Sequence, residues 1–314
     1  MARRICIVFV DGLGIGDPSP ETNPLVGAST GLLAFYREEL PRKALPRGGM
    51  AVGIDACLGV EGIPQSATGQ TTLLTGVNGA RLVGRHLPGF PNRTLRRLLF
   101  ERSLLRIARQ MGLRAAFVNA YTRLTNSESF EDLLPRVSAT TMACLSAGQA
   151  FRTLEDLREG RAVYQDFTNE ELRERGFHVP LWSPDTAGRI LAEISAELEL
   201  CLYEFFRTDR VGHKGDLERA KQVIAELEEF VDSLLSHIDF REQTVLVVSD
   251  HGNIEDLATP THTPNLAFAA AWGWGAEELV SACSSLEDVH PAILRSLAGN
   301  DGFRAGQLGR EISP

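Results

Sequence analysis

Apolar positions along this chain follow two different periods. Short continuous runs occur at Ile5–Val10 (ICIVFV), Leu198–Phe206 (LELCLYEFF) and Thr244–Ser249 (TVLVVS), and such runs predict strands buried on both faces of a parallel sheet. Arg114–Tyr121 (RAAFVNAY) predicts another. Between these runs the spacing becomes helical. Asp216–Ile238 places Leu217, Ala220, Val223, Ile224, Leu227, Phe230, Val231, Leu234 and Leu235 at i, i+3, i+4 intervals, which is the stripe of a helix packed on a core. Thr94–Gly112, Thr140–Gly148, Pro184–Glu197 and Ser285–Leu297 predict further helices, and Ser66–Leu74 opens one after the loop Gly62-Ile-Pro-Gln. Strand and helix in alternation predict a doubly wound α/β fold. The rhythm fades between 122 and 182, where Ser/Thr-rich turns and a charged segment predict a small inserted cap. The core is then 1–121 together with 183–314, and a cap of that size is ordinary for a subdomain.

Three of the predicted strands deliver an aspartate. The first runs into Asp11-Gly12, the last into Asp250-His251-Gly252, and the middle one into Asp209-Arg-Val-Gly-His213. Ligands of open α/β sheets sit outside the carboxyl ends of the strands, so these side chains should face one crevice. Any one of the aspartates serves equally well as a helix cap or turn residue. Asp11, Asp209, His213, Asp250, His251 and His262 taken together include three of the chain's seven histidines and point to metal. Carboxylate and imidazole ligands without cysteine suit Mn²⁺ or Zn²⁺, with Mg²⁺ behind them. The set is too large for one catalytic ion that keeps a position open. It suits a pair, which can clamp the attacking and leaving oxygens of a phosphoryl displacement.

Ser66 falls where a loop becomes a helix, in Gln65-Ser66-Ala-Thr-Gly69-Gln70. A hydroxyl there meets unpaired backbone N–H groups and the positive end of the helix dipole, both of which favour phosphate. Taken alone it reads more simply as an N-cap. No G-x-S-x-G elbow supplies a base, so metal is the available activator of this nucleophile. Arg85 and His86, with Arg81 before them, offer phosphate contacts or solvated surface charge. Gly12-Leu-Gly14-Ile-Gly16 lacks the spacing of a dinucleotide fingerprint.

Composition narrows the partners. A formal net charge of −9 excludes the basic footprint of a nucleic-acid binder. The five scattered cysteines form no C-x-x-C pair, which is reduced, cytoplasmic usage without a disulfide framework. The apolar run before Asp11 is too short for a signal core, and no segment has membrane-spanning length. A cytoplasmic protein acting on a small metabolite is expected, in an oligomeric state that the sequence does not specify.

The ordered set Asp11-Gly12, Ser66 in S-x-x-G, Asp209-x-x-Gly-His213, Asp250-His251-Gly252-Asn253 and His262-Thr-x-Asn265 resembles the alkaline phosphatase superfamily. Its flavour is similar to that of cofactor-independent phosphoglycerate mutases and phosphopentomutases. The resemblance implies a three-layer α/β/α core with a mostly parallel central sheet and two divalent metal ions. It assigns Asp11, Ser66, Asp250 and His251 to one ion, and Asp209, His213 and His262 to the other. It also makes Ser66 the residue that is phosphorylated. Two departures bear on the reaction. The chain has Gln70 where the bacterial mutases carry a histidine, and only 122–182 where they carry a large second domain. The expected activity is therefore a phosphatase acting on a small phosphomonoester. The alternatives are an intramolecular phosphotransferase and a non-catalytic, metal-dependent binding module for phosphorylated metabolites.

Overall fold

The computed structural model describes residues 3–122 and 137–299. A seven-stranded sheet forms its middle layer, in the order β2-β3-β7-β6-β1-β5-β4. The strands are β1 (Arg4–Val10), β2 (Arg42–Leu45), β3 (Gly49–Ile54), β4 (Ala115–Phe117), β5 (Leu200–Phe205), β6 (Gln243–Ser249) and β7 (Ala267–Gly273). The block β6-β1-β5-β4 is parallel throughout. Antiparallel pairing of β6 with β7, β7 with β3 and β3 with β2 makes the whole sheet mixed.

Alternate residues of β1 feed the two helical layers. Ile5, Ile7 and Phe9 join a core with Leu73 and Leu74 of the helix Ser66–Thr75, Met142 and Ala143 of the helix Ala139–Ser146, and Ile293 and Leu294 of the helix Leu286–Ala298. Cys6, Val8 and Val10 pack on the other side against Leu191 of the helix Pro184–Ala196 and Val223, Leu227 and Phe230 of the helix Leu217–Ser236. With both faces covered, the strands need near-continuous apolar runs, as the sequence of β1, β5 and β6 shows.

Two predicted elements are shorter than their patterns. The Thr94–Gly112 pattern breaks at Ser103 into the helices Arg93–Arg102 and Leu104–Gln110. Ser103 has extended backbone (ψ 147°), and its hydroxyl accepts the Arg106 N–H at 3.3 Å. The capping hydroxyl competes with helix continuation and wins. In Arg114–Tyr121 only Ala115–Phe117 forms strand, followed by single bridges at Asn119 and Ala120.

Within 122–182, the helix Ala139–Ser146 is part of the main core. Leu157, Tyr164, Leu172 and Val179 form a separate small cluster. Phe167 ties that region to the body. Its ring stacks on Phe230 at 4.5 Å and on Phe205 at 5.1 Å.

In register, Val10 is level with both Phe205 and Ser249. The chain therefore leaves β6, β1 and β5, which are adjacent, at one level of one sheet edge. Asp11 and Asp250 follow immediately. Asp209 follows in the short helix Arg207–Gly212.

Candidate metal centre

The loops beyond these strand ends are tied to each other. Leu13 N–H donates to Ser249 Oγ at 2.9 Å, and that hydroxyl donates to the His251 carbonyl at 3.0 Å. Thr208 Oγ1 donates to the Asp11 carbonyl. Gly12 turns the chain with φ +72°, and a Cβ there would lie 3.0 Å from Asp209 Oδ1. Only glycine meets both conditions without strain. The sequence Asp-Gly thus lets one carboxylate loop lie against the next.

His251 Nε2 is the centre of the first cluster. It lies 3.2 Å from Asp11 Oδ1, 3.5 Å from Asp250 Oδ2 and 3.0 Å from Ser66 Oγ. Ser66 is the first residue of its helix, as expected from the loop-to-helix junction. In a Ser-His-Asp relay the orienting carboxylate sits on the other ring nitrogen. Here serine and both carboxylates surround the same nitrogen, which is the arrangement of ligands around an ion.

The second cluster holds Asp209, His213 and His262. His262 Nε2 lies 3.2 Å from Asp209 Oδ1 and 3.1 Å from His213 Nε2, which is itself 3.5 Å from Asp209 Oδ1. His262 Nδ1 donates to the Pro64 carbonyl at 2.8 Å, which leaves Nε2 as the lone-pair nitrogen that a metal needs. Ligand atoms of Asp11, Asp250 and His251 all fall within 4.8 Å of one another, and so do those of Asp209, His251 and His262. His251 therefore stands between the two clusters.

The residues fit cations on a further count. Asp11 Oδ1 and Asp250 Oδ2 are buried and accept no hydrogen bond, although buried carboxylate oxygens are costly without a partner. Burial and then the charge of Asp11 push Asp250 well above the usual carboxylate range. Burial disfavours charge on His251, but Asp250, Asp11 and Asp209 outweigh it and pull the imidazole up to about 10. Burial would raise Asp209 too, yet bonding to His262, the charge of His251 and the Asn253 amide hold it at about 2. Three carboxylates around one imidazole leave negative charge that divalent ions neutralise.

The remaining expected residues sit elsewhere. Arg85 is exposed, with no side-chain partner among the described residues. His86 Nε2 donates to the Val60 carbonyl at 3.2 Å, and Arg81 reaches the Leu58 carbonyl at 3.4 Å. Arg81 lies in the short helix Gly79–Val83 and Arg85 and His86 in the turn after it, a segment held beside the Ser66 helix by the Leu87 N–H bond to Thr68 Oγ1 at 3.2 Å.

Several polar residues of the centre had no role assigned to them from the sequence. Gln70 donates to Asp11 Oδ2 at 3.3 Å, and its place one helical turn after Ser66 was the available signal. Glu204 lies on β5, where burial pushes it up to about 8, opposed by the Thr140 hydroxyl at 2.5 Å and reinforced by the charge of Asp11. A glutamate inside an apolar strand was the clue. Asn253 Nδ2 donates to Asp209 Oδ1 at 2.6 Å.

A family model described as the metalloenzyme superfamily matches residues 3–300. The chain belongs to that superfamily. The 2,3-bisphosphoglycerate-independent phosphoglycerate mutase of Dinoroseobacter shibae is 29% identical over 117 residues, covering 35% of this chain and 23% of that enzyme. That of Natronomonas pharaonis is 27% identical over 124 residues, covering 37% of this chain and 24% of that enzyme. The chain thus matches about a quarter of the length of these curated relatives. Among solved structures, the PH0037 protein of Pyrococcus horikoshii superposes with a TM-score of 0.59 at 14% identity, over 97% of this chain and 99% of that one. Phosphoglycerate mutase of Leishmania mexicana gives 0.50 at 13% identity, over 96% and 97%. A magnesium-bound mutant of TAB5 alkaline phosphatase gives 0.50 at 12% identity, over 96% and 100%. The core is that of the alkaline phosphatase superfamily, in agreement with the motifs.

Proposed function

We propose that this protein is a two-metal phosphoryl-transfer enzyme that cleaves a small phosphomonoester through a phosphoserine at Ser66. The observation that carries this reading is the 3.0 Å approach of Ser66 Oγ to the His251 nitrogen that also faces Asp11 and Asp250. Asp11, Ser66, Asp250 and His251 would hold one ion and Asp209, His213 and His262 the other, with Mn²⁺ or Zn²⁺ best suited to these donors. Bound there, divalent ions lower the pKa of a hydroxyl and offset charge that develops on the transferred group and the leaving oxygen.

The protein's own contribution is positioning. Ser66 presents its hydroxyl at a helix N-terminus, where free N–H groups and the helix dipole favour phosphoryl oxygens. Arg85, exposed and without a side-chain partner among the described residues, is available to a substrate phosphate. Attack by Ser66 Oγ forms the Oγ–phosphorus bond and breaks the ester P–O bond, and the leaving oxygen departs as the alcohol with the proton that Ser66 gives up. Water then takes the phosphoryl group, and the five free cysteines fit a reducing, cytoplasmic setting. Intramolecular transfer is the second reading, favoured by the mutase names of the curated relatives.

The test is intact-mass spectrometry after incubation with Mn²⁺ or Zn²⁺ and a panel of phosphomonoesters. A phosphate adduct on Ser66, lost in Ser66→Ala, with release of inorganic phosphate, is the expected result. Migration of phosphate without release supports the mutase. Metal binding with no adduct, release or migration overturns both and leaves a binding module.

A further inference from the structure

Glu255, in the loop after β6, is 1% exposed. Among the described residues no cationic side chain bonds it. Four donors occupy its two oxygens instead, one from the loop after β1 and three from the β6–β7 connection. Oε2 accepts the N–H groups of Gly14 at 2.9 Å and Asn253 at 2.7 Å. Oε1 accepts the Asn265 amide at 3.0 Å and the Thr263 hydroxyl. Four donors match the acceptor capacity of a carboxylate.

The backbone makes room for this group. A Cβ on Gly14 would stand 2.4 Å from Oε1, and one on Gly252 would stand 2.3 Å from it. A buried carboxylate costs several kcal/mol unless fully bonded. An apolar residue would pin the same loops without that cost, so the carboxylate needs a reason.

Its neighbours supply one. Asn253, fixed through its N–H, turns its side chain to Asp209, reaching Oδ1 at 2.6 Å and the carbonyl at 3.1 Å. Thr263, fixed through its hydroxyl, directly follows His262 in the chain. Two side chains of the Asp209–His213–His262 cluster are thus one residue removed from Glu255. Among the described residues no hydrogen bond joins Glu255 to Asp11, Ser66 or Asp250. We infer that Glu255 is a positioning residue for the Asp209–His213–His262 ion, and selectively so. This rests on the two-ion reading above.

Calorimetric titration with Mn²⁺ tests it on the metal-free chain, without any need for activity. Wild type should bind two ions, and Asp209→Ala should mark what loss of the second site looks like. Glu255→Ala should weaken that same site about tenfold or more, the usual effect of removing an outer partner, and spare the other. Glu255→Gln, which keeps the shape and one acceptor oxygen, should fall between. Asn253→Ala leaves Glu255 in place and should reproduce the selective loss, so it decides the matter if Glu255→Ala does not fold. Equal weakening of both sites, or no weakening, overturns the inference. A wild type that binds fewer than two ions overturns the two-ion reading and the inference with it. Selective loss in a protein that transfers no phosphate sustains the inference and rejects only the chemistry.

Discussion

The imidazoles of His251 and His262 stack with centroids 3.8 Å apart and 16° between their planes. One ring belongs to the Asp11–Asp250 cluster and the other to the Asp209 cluster, so whatever orients one constrains the other.

His251→Ala should therefore remove one ion and weaken the other, because His262 loses the face it rests on. His213→Ala, on the half-exposed side of its cluster, should affect only one. Metal content after dialysis distinguishes them. Retention of a full second ion in His251→Ala would show that the stack transmits nothing.

Asp250→Asn separates stability from metal binding. In the metal-free protein, burial and Asp11 both disfavour the charged Asp250, so a neutral isostere should raise the melting temperature. The same change should abolish the thermal shift produced by Mn²⁺. Wild type at a hundredfold excess over Kd should gain about 2.7 kcal/mol per ion. Thermal scans with and without chelator measure both effects.

His290 predicts how stability responds to acid. It lies in the helix Leu286–Ala298, and burial, with the charge of Arg102, lowers its imidazole from 6.5 to about 4. Between those values the unfolded chain takes up a proton that the native state refuses, so stability rises with pH in this window and is lost as pH falls. The full loss amounts to about 3 kcal/mol. His290→Leu should flatten the denaturation midpoint between pH 7 and 4, read against wild type by urea titration. Unchanged slopes would remove His290 from the account.

Phe167→Ala should cost about 3–5 kcal/mol, because the ring is fully buried between Phe230 and Phe205. Chemical denaturation measures it. A second, earlier transition would show that the Leu157–Val179 cluster comes away separately, while a single shifted transition would make that cluster part of one cooperative body.

The sequence made the middle of the sheet readable and its flank unreadable, for a physical reason. β1, β5 and β6 are buried on both faces, so their runs are mostly apolar, and Asp11, Asp209 and Asp250 stand out where those runs end. β7 is equally buried but reads Ala-Phe-Ala-Ala-Ala-Trp-Gly, and alanine carries little strand signal. β2 is short and charge-bearing, and β3 is interrupted by glycine. The ligand side chains were legible because metal chemistry restricts their types. The orienting roles of Asn253, Gln70 and Glu255 were not, since an amide or carboxylate that orients another residue has no period and acquires its role only when distant loops meet.

The outer strand β4 has a property of its own. The Gln149 side chain lies alongside it, its Oε1 accepting the Phe117 N–H at 3.2 Å and its Nε2 donating to the Ala115 carbonyl. One amide thereby imitates the next strand and uses up the backbone groups that a passing peptide would seek. Exposed strand edges are templates for fibrillar growth, and here the ladder is finished by a side chain too short to be extended. Just beyond β4 the backbone bridges of Val163 and Arg152 continue the cover, so this flank offers a passing chain little open ladder.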